Sequence, residues 1–219
     1  MKKLLIVLIV ILFAGCTKSI RIQESFRSDN YDFGLMESSK IKFGGTTKIF
    51  LKEFVDTFND EYSDTTKLND KLYTVFTDEF SKQMPQVNLA KLETEIPKEL
   101  LGELSFKESN LEAVNLFFTN LDAEFLIFIN NIEIGNSYQT NQYFNANTNT
   151  TSTSTTEYCQ IAIEVECWDV DKQKRILRFK GLGSDSVVFF TFLKSLNNAI
   201  DEAIKNSVTY IKNGGTKKS

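Results

Sequence analysis

The sequence contains no histidine, only two prolines and one tryptophan, and three cysteines among 219 residues. Without histidine, the chain lacks the commonest general base, the commonest metal ligand and every catalytic triad built on that residue. The formal net charge of −4 argues against nucleic-acid binding, which requires a basic face. No other arrangement of side chains indicates a reaction, so we expect a non-enzymatic protein that binds no metal and no other cofactor.

The longest uncharged apolar run lies at the N-terminus, over residues 4–14 (LLIVLIVILFA), and follows Met1-Lys2-Lys3. It is too short to span a bilayer, which takes about 20 helical residues, but it fits the ~7–15 apolar residues of a secretory signal. The run leads into Phe13-Ala14-Gly15-Cys16, which resembles the lipobox of bacterial lipoproteins. In that family the signal is cut before the cysteine, which then carries two or three acyl chains, and two or more chains anchor a protein stably.

The lipobox resemblance implies a signal peptide over residues 1–15, lipidation of Cys16 and attachment to a membrane of the bacterial cell envelope, facing the periplasm. In enterobacterial lipoproteins, an Asp directly after the lipidated cysteine retains the protein in the inner membrane. This chain has Thr17 at that position, so it resembles the class directed to the outer membrane, and that membrane is favoured over the inner one. An ordinary secretory signal, with Cys16 incidental, is the alternative.

Composition divides the rest of the chain into three parts. Residues 16–36 are polar and irregular, which favours a flexible tether behind the lipidated N-terminus. Residues 37–212 are long enough for one globular domain, and we interpret Gly44-Gly45 as a turn before its first strand. Residues 213–219 (NGGTKKS) are expected to be a disordered tail.

Hydrophobic periodicity predicts the elements of the domain. The stretch 48–56 (KIFLKEFVD) fits a strand or a helix. The remaining expected elements are helices over 67–84, 110–121 and 187–212 and strands over 86–93, 123–134, 158–170 and 175–183. Capping residues are expected at Thr65 or Thr66, at Ser109, and at Asp185 or Ser186.

Two strand patterns are especially informative. The run Phe125–Ile129 is apolar throughout, which is typical of a strand buried on both faces. The segment 158–170 alternates and places Cys159 and Cys167 on one face, about 26 Å apart at the usual rise of a strand. A disulfide needs Cα atoms within about 7 Å, so we predict two buried free thiols. We interpret DVD, 169–171, as a hairpin turn and GLGSDS, 181–186, as a strand end followed by a helix cap.

The order of elements predicts an α+β fold, a two-layer α/β sandwich with helices packed on a mixed β-sheet. KIFLKEFVD, LDAEFLIFINNIEI and IEVECWDVDKQKRILRFKGLG, followed by a closing helix, resemble the N-terminal domain of the TolB family. The same architecture occurs in the CsgG family of curli secretion lipoproteins and in lipoprotein activators of penicillin-binding proteins. The auxiliary lipoproteins of envelope lipid transporters have a similar order of strands and helices.

The most distinctive segment is 135–158 (GNSYQTNQYFNANTNTTSTSTTEY), which joins two strong strands. Its composition favours an Asn/Thr-rich, solvated loop. The alternative is an extended β-hairpin, with Tyr138 and Phe144 on one face, to which a partner adds a strand. A membrane-spanning hairpin would need about 9–11 alternating residues per strand, and 145–156 does not supply the apolar ones.

These features favour a lipid-anchored adaptor or activator, or an accessory subunit, of a cell-envelope machine. Its expected partners are the membrane, through Cys16, and another envelope protein that docks at Tyr138 and Phe144. An oligomeric secretion or transport component, resembling the CsgG family or a lipid-transporter auxiliary lipoprotein, is the alternative and would make the chain a homo-oligomer.

Overall fold

The computed structural model describes residues 20–28, 40–45, 49–51, 65–102, 111–188 and 192–216. The expected signal peptide, Cys16, the cap at Ser109 and most of the stretch 48–56 lie outside these residues. The elements are β1 (Ile22–Arg27), β2 (Lys40–Gly45), β3 (Ile49–Leu51), α1 (Thr65–Gln83), β4 (Asn88–Lys91), α2 (Leu111–Thr119), β5 (Phe125–Asn145), β6 (Thr150–Asp169), β7 (Lys174–Ser186) and α3 (Phe192–Lys212).

The strands form one mixed sheet of the order β1-β7-β6-β5-β2-β4, with β3 also paired to β5. Strands β5, β6 and β7 are consecutive antiparallel neighbours, and β1 adds antiparallel to β7. Strands β2 and β3 run parallel to β5, and β4 runs parallel to β2. The predicted α+β fold, with helices packed on a mixed sheet, is confirmed.

The parallel strands β2 and β4 are connected through α1, and the sequence patterns did not predict β2. Strand β4 pairs with β2, whereas β3, which lies in the stretch 48–56, pairs with β5 and with no other described strand. The expected turn at Gly44-Gly45 is wrong, because both glycines belong to β2. A Cβ on Gly44 would lie 2.8 Å from Leu92 Cδ2, the end of a flexible side chain, so a larger residue here would require Leu92 to shift.

The main core lies between one face of the sheet and helices α1 and α3. Helix α1 contributes Leu68, Leu72, Phe76 and Phe80, and Phe76 stacks against Phe43 of β2 with ring centroids 4.6 Å apart. Helix α3 buries Leu196, Ala199, Ile200, Ala203, Ile204 and Val208. These residues recur at three- and four-residue spacing, which places them on one side of each helix.

A smaller core covers the other face of the sheet at one end. In β5, Phe125, Ile127 and Ile129 face the main core, and Leu126 and Phe128 face the smaller one, so the predicted double-sided burial is confirmed. Helix α2 contributes Phe118 to the smaller core. Leu111, expected on the buried face of that helix, is 70% exposed.

Strand β7 and helix α3 approach each other closely at two glycines. A Cβ on Gly183 would lie 1.9 Å from the Ala199 carbonyl oxygen, and one on Gly181 would lie 1.9 Å from Ser207 Oγ. GLGSDS ends a strand, as expected, but the helix cap expected at Asp185 or Ser186 is wrong, because both residues belong to β7 and α3 begins at Phe192. The glycines at alternate positions instead leave room for the helix backbone.

The N-terminal part of the fold corrects the predicted tether. Residues 22–27, which were assigned to the tether over 16–36, form β1 on β7, and Ile22 is buried in the main core. Arg21 donates to Ser184 Oγ at 2.9 Å and to Glu202 Oε2 at 2.5 Å. An edge strand needs few apolar residues, so its mixed composition was indistinguishable from that of a linker.

The C-terminal tail is also partly ordered. Asn213–Thr216, expected to be disordered, follow α3 in a turn closed by a hydrogen bond from Gly215 N to the Tyr210 carbonyl oxygen. Arg27 donates to the Gly215 carbonyl oxygen at 3.2 Å. Tyr210 Oη donates to the carboxylate of Glu24, 186 positions earlier in the sequence. Both ends of the described chain are therefore joined at β1.

Both cysteines of β6 are free and buried, as predicted. Burial raises the pKa of the Cys159 thiol to about 12, and nearby Asp185 and Glu157 add to that effect. Burial also raises the pKa of Cys167. Because the thiolate is the reactive form, both thiols are poor nucleophiles in the folded protein.

Candidate docking arm

Residues 135–158 do not form the expected loop. Strands β5 and β6 continue through this segment with unbroken pairing from Gly135↔Gln160 to Asn145↔Thr150. The alternative, an extended hairpin, is the arrangement that the structure has. We call Tyr138–Glu157 the arm, because β7 ends at the level of Tyr158, where Ser186 pairs with it.

The local sequence explains why this segment forms strands. Thr and Tyr favour extended backbone, and Thr140 Oγ1 lies 3.1 Å from Thr155 Oγ1 across the two strands. The connecting turn ends at Asn149, whose positive φ of 51° suits asparagine. Asn147 N donates to Asn145 Oδ1 at 3.0 Å within the turn. A composition typical of loops thus also satisfies the requirements of a hairpin.

The base of the arm is fixed to the body of the protein through Glu157. Its carboxylate accepts hydrogen bonds from Asn136 Nδ2 at 2.5 Å and from Tyr138 Oη at 3.5 Å. The backbone carbonyl oxygen of Glu157 accepts a hydrogen bond from Val187 N at 2.8 Å. These bonds hold the first residue pair of the arm in line with the sheet.

Both edges of the arm are open among the residues that the structure describes. The pairing of β3 with β5 ends at Leu51↔Ile134, and the pairing of β7 with β6 ends at Tyr158↔Ser186. Natural edge strands are usually protected by charged residues, proline or bulges. Residues 138–156 contain no charge and no proline, and their pairing shows no bulge. The arm is therefore suited to accept another strand.

The arm also exposes aromatic side chains. Tyr138 is 56% exposed and Phe144 is 65% exposed, and the unbroken alternation places them on one face, as predicted. Tyr143, which the sequence analysis did not select, is 59% exposed on the opposite face near the tip. Its position next to Phe144 in the sequence is the signal that could have identified Tyr143 as a candidate. Aromatic residues exposed on an otherwise polar ribbon are typical of a binding surface.

A second candidate site is a polar cleft of about 510 Å³ on the open face of the sheet. Phe26, Trp168 and the 99–102 turn line it together with Lys174, Arg175 and Arg178. The Arg175 guanidinium lies 5.1 Å from the Phe26 ring centroid and 6.0 Å from that of Trp168, and its Nε is buried without a hydrogen-bond partner. The cations suit an anionic group on a small ligand.

The carboxylate of Glu166 forms the floor of this polar cleft and is 1% exposed. It accepts hydrogen bonds from Trp168 Nε1 at 3.1 Å and from Asn130 Nδ2 at 3.3 Å. Arg178 Nε lies 3.4 Å from Glu166 and 2.5 Å from Glu164. The alternation of 158–170 places both glutamates on the strand face opposite Cys159 and Cys167. The structure buries them beneath arginines of β7, a pairing that strand periodicity alone does not reveal.

Glu166 should give folding a distinctive pH dependence. Burial raises the pKa of its carboxyl group above the ordinary value of 4.5, against the opposing effect of the two arginines. The folded state then binds more protons than the unfolded state above pH 4.5, so the contribution of Glu166 to stability is complete at low pH and is lost as the pH rises through its raised pKa. We expect Glu166→Gln to remove this loss, measured by denaturant unfolding between pH 4.5 and 8. Parallel pH profiles for the two proteins would contradict this prediction.

The other predicted sites are accounted for by the fold. DVD belongs to the predicted β6–β7 hairpin turn, where Asp169 Oδ1 accepts from Lys172 N at 2.8 Å. The described residues contain no group of His, Cys, Asp and Glu side chains that could hold a metal ion. Across the described part of the chain, none of the helices has both the length and the hydropathy needed to cross a bilayer.

Comparisons with known proteins show only distant similarity. No protein-family model matches the chain, and no curated protein matches it. Among solved structures, a neuraminyllactose-binding hemagglutinin homolog from Helicobacter pylori is 8% identical, with a TM-score of 0.37 and coverage of 80% of this chain and 84% of that one. The PelC dodecamer from Paraburkholderia phytofirmans is 6% identical, with a TM-score of 0.37 and coverage of 85% and 97%. A hypothetical protein from Chlamydia trachomatis is 10% identical, with a TM-score of 0.36 and coverage of 78% and 97%.

Proposed function

We propose that this chain is a non-enzymatic, lipid-anchored protein of the bacterial cell envelope that acts as an adaptor, activator or accessory subunit of an envelope machine. Cys16 would carry the anchor, with the domain on the periplasmic side and the outer membrane favoured over the inner. The fold would be of the TolB N-terminal or CsgG-like kind that the sequence patterns resemble. The observation that carries the proposal is the arm, whose residues 138–156 are uncharged and whose two edges are open among the described residues, beyond a well-packed domain.

The mechanism that we propose is docking by strand addition at a membrane. An incoming strand would pair with the free edge of β5 or β6, and Tyr138 and Phe144 would pack against its side chains. Anchoring through Cys16 would confine the domain and its partner to the same surface, which raises their effective concentration. The body of the protein would serve to hold the arm in position.

A second candidate is an oligomeric secretion or transport component. The same edges favour it, because an uncharged strand can pair with a second copy of itself without charge repulsion. In that case the partner would be this chain, and the assembly would have a defined number of subunits.

Cross-linked co-purification from living cells tests the proposed function. A C-terminally tagged chain is extracted in mild detergent, with Cys16→Ala as the matched variant that cannot be lipidated. We expect a reproducible envelope protein with the tagged chain and at least about tenfold less of it with Cys16→Ala, because the local concentration is lost. Recovery of large assemblies of this chain alone would favour the oligomeric candidate. A lone monomer, unaffected by the variant, would contradict both.

A further inference from the structure

We propose that the tip of the arm, Tyr143–Asn149, contacts the lipid headgroup layer of the membrane that holds the anchor. The inference rests on lipidation of Cys16, which belongs to the proposed function. It follows from where β1 joins the sheet, from the length of chain between Cys16 and β1, and from the chemistry of the tip.

The short connection to the anchor limits where the membrane can lie. The six residue steps from Cys16 to Ile22 span at most about 21 Å, whatever their path. Ile22 pairs with Gly181, and β7 begins seven residues before that glycine, at Lys174. The end of the sheet at Lys174 is about 23 Å from the level of Ile22 along the strands, and the β6–β7 turn lies beyond that end. Cys16 therefore does not extend clear of this end of the sheet, which disfavours an orientation with the arm pointing straight away from the membrane.

The opposite extreme is excluded by the length of the arm. Gly181 pairs with Ile163 of β6, and the arm ends 13 residues from Ile163, at Thr150. The tip thus lies about 43 Å from the level of Ile22 along the strands, at least about 20 Å beyond the farthest reach of the anchor. An arm pointing straight into the bilayer would place open strand edges in hydrocarbon, where unpaired backbone groups are not tolerated. An arm that runs obliquely or along the membrane surface satisfies both limits.

The tip has the chemistry of a headgroup-contacting segment. Tyr143 and Phe144 are adjacent, lie on opposite faces of the ribbon and are 59% and 65% exposed. Aromatic rings with polar neighbours favour the boundary between headgroups and acyl chains. The neighbouring Asn, Thr and Ser side chains carry no charge that a membrane surface would repel or that insertion would have to desolvate. The contact adds to the lipid anchor and shares Phe144 with the proposed docking face, while the backbone edges of the arm before Tyr143 stay available for strand addition.

Site-specific fluorescence in vesicles tests the inference. The lipidated full-length chain carries an environment-sensitive NBD fluorophore at Asn147→Cys, or at the control position Asp171→Cys in the β6–β7 turn at the other end of the sheet. The native thiols Cys159 and Cys167 are buried and do not compete for the label. The vesicles contain phosphatidylcholine and phosphatidylglycerol, with or without a phosphatidylcholine that carries a shallow nitroxide quencher. We expect quenching at position 147 at least about threefold stronger than at 171.

The outcomes separate the inference from the anchoring that it assumes. Vesicle flotation is measured first, and a chain that does not float shows that the anchor itself is absent. If the chain floats but both labels are quenched equally weakly, the lipid contact is overturned. A blue-shifted label at 147 that the nitroxide lipid does not quench would show that protein, such as a second copy, covers the tip, and would also overturn it. In the same labelled chain, Tyr143→Ser with Phe144→Ser should reduce quenching to the level at 171, and unchanged quenching would contradict the role of these rings.

Discussion

Replacement of residues 140–155 by Asn-Gly is expected to abolish capture of the envelope partner and to leave the folding of the domain intact. Gln139 and Thr156 face each other across the strands. Because the backbone of Glu157 bonds to Val187 beside β7, the backbone of its neighbour Thr156 faces β5, so a two-residue loop closes the hairpin at this pair without changing the register. The removed side chains are exposed except for partial burial at Asn141, and they belong to neither core cluster. We therefore expect the free energy of unfolding to change by less than about 0.5 kcal/mol, while the yield of co-purified partner falls to background.

A matched variant separates removal of the arm from removal of its open edges. Thr153→Lys with Thr155→Lys keeps the arm but places two charges on its β6 strand, which disfavours pairing with a further strand. Thr153→Ser with Thr155→Ser keeps both positions uncharged. We expect the lysine pair to lower partner capture at least about tenfold and the serine pair to have little effect. Capture that survives both the shortened arm and the lysine pair would place the docking surface elsewhere on the domain.

The substitution Gly183→Ala is expected to destabilise the fold by about 3 kcal/mol, near the upper end for an overpacked core. The new Cβ would lie 1.9 Å from the Ala199 carbonyl oxygen and 2.8 Å from Ala203 N. Both are backbone atoms of α3, so no side-chain rotation relieves the clash and the helix must move away from β7. Urea unfolding, followed by the fluorescence of the single tryptophan, measures the change.

Alanine substitutions at two other glycines give stability losses with which the loss at Gly183 can be compared. Gly181→Ala should cost less than Gly183→Ala, because its nearest neighbour is the Ser207 hydroxyl, which can rotate, although the Ala203 carbonyl oxygen also lies at 2.7 Å. Gly102→Ala meets nothing within 4 Å and only strains a backbone with φ of +65°, which costs about 1 kcal/mol. If all three variants lose the same stability, close packing of β7 on α3 is not the reason for the glycines.

Most of the strands that could be predicted were identified by strong apolar patterns. The run Phe125–Ile129 identified a strand buried on both faces, and the alternation of 158–170 identified a strand and its core-facing side, because both depend on residues within a single element. The two unpredicted strands have no such pattern. Strand β1 has a mixed composition, and β2 contains Gly44 and Gly45, so each is defined by the strand beside which it lies. Long-range pairing supplies that information, and local periodicity cannot.

In the candidate sites too, features within one strand could be predicted and features that depend on neighbouring strands could not. Tyr138 and Phe144 were selected because they interrupt a polar segment, and their shared exposed face follows from strand periodicity alone. The pair formed by buried Glu166 and half-buried Arg178 depends on the register of β6 against β7. The open edges of the arm depend on where β3 and β7 stop. Neither feature can be derived from the residues of one strand, so the sequence alone did not indicate them.

The joining of both chain ends at β1 has a consequence for the route by which the protein folds. Strand β1 is made first during synthesis, yet its partners are β7 and the last residues of the described chain, Tyr210 and Gly215. Its contacts close very long loops, a topology that slows folding. A growing chain must therefore keep β1 unpaired until β7 has emerged, and its contacts are complete only once Tyr210 and Gly215 have followed. The fold therefore completes late, and a chain interrupted before β7 leaves β1 unpaired and prone to aggregation.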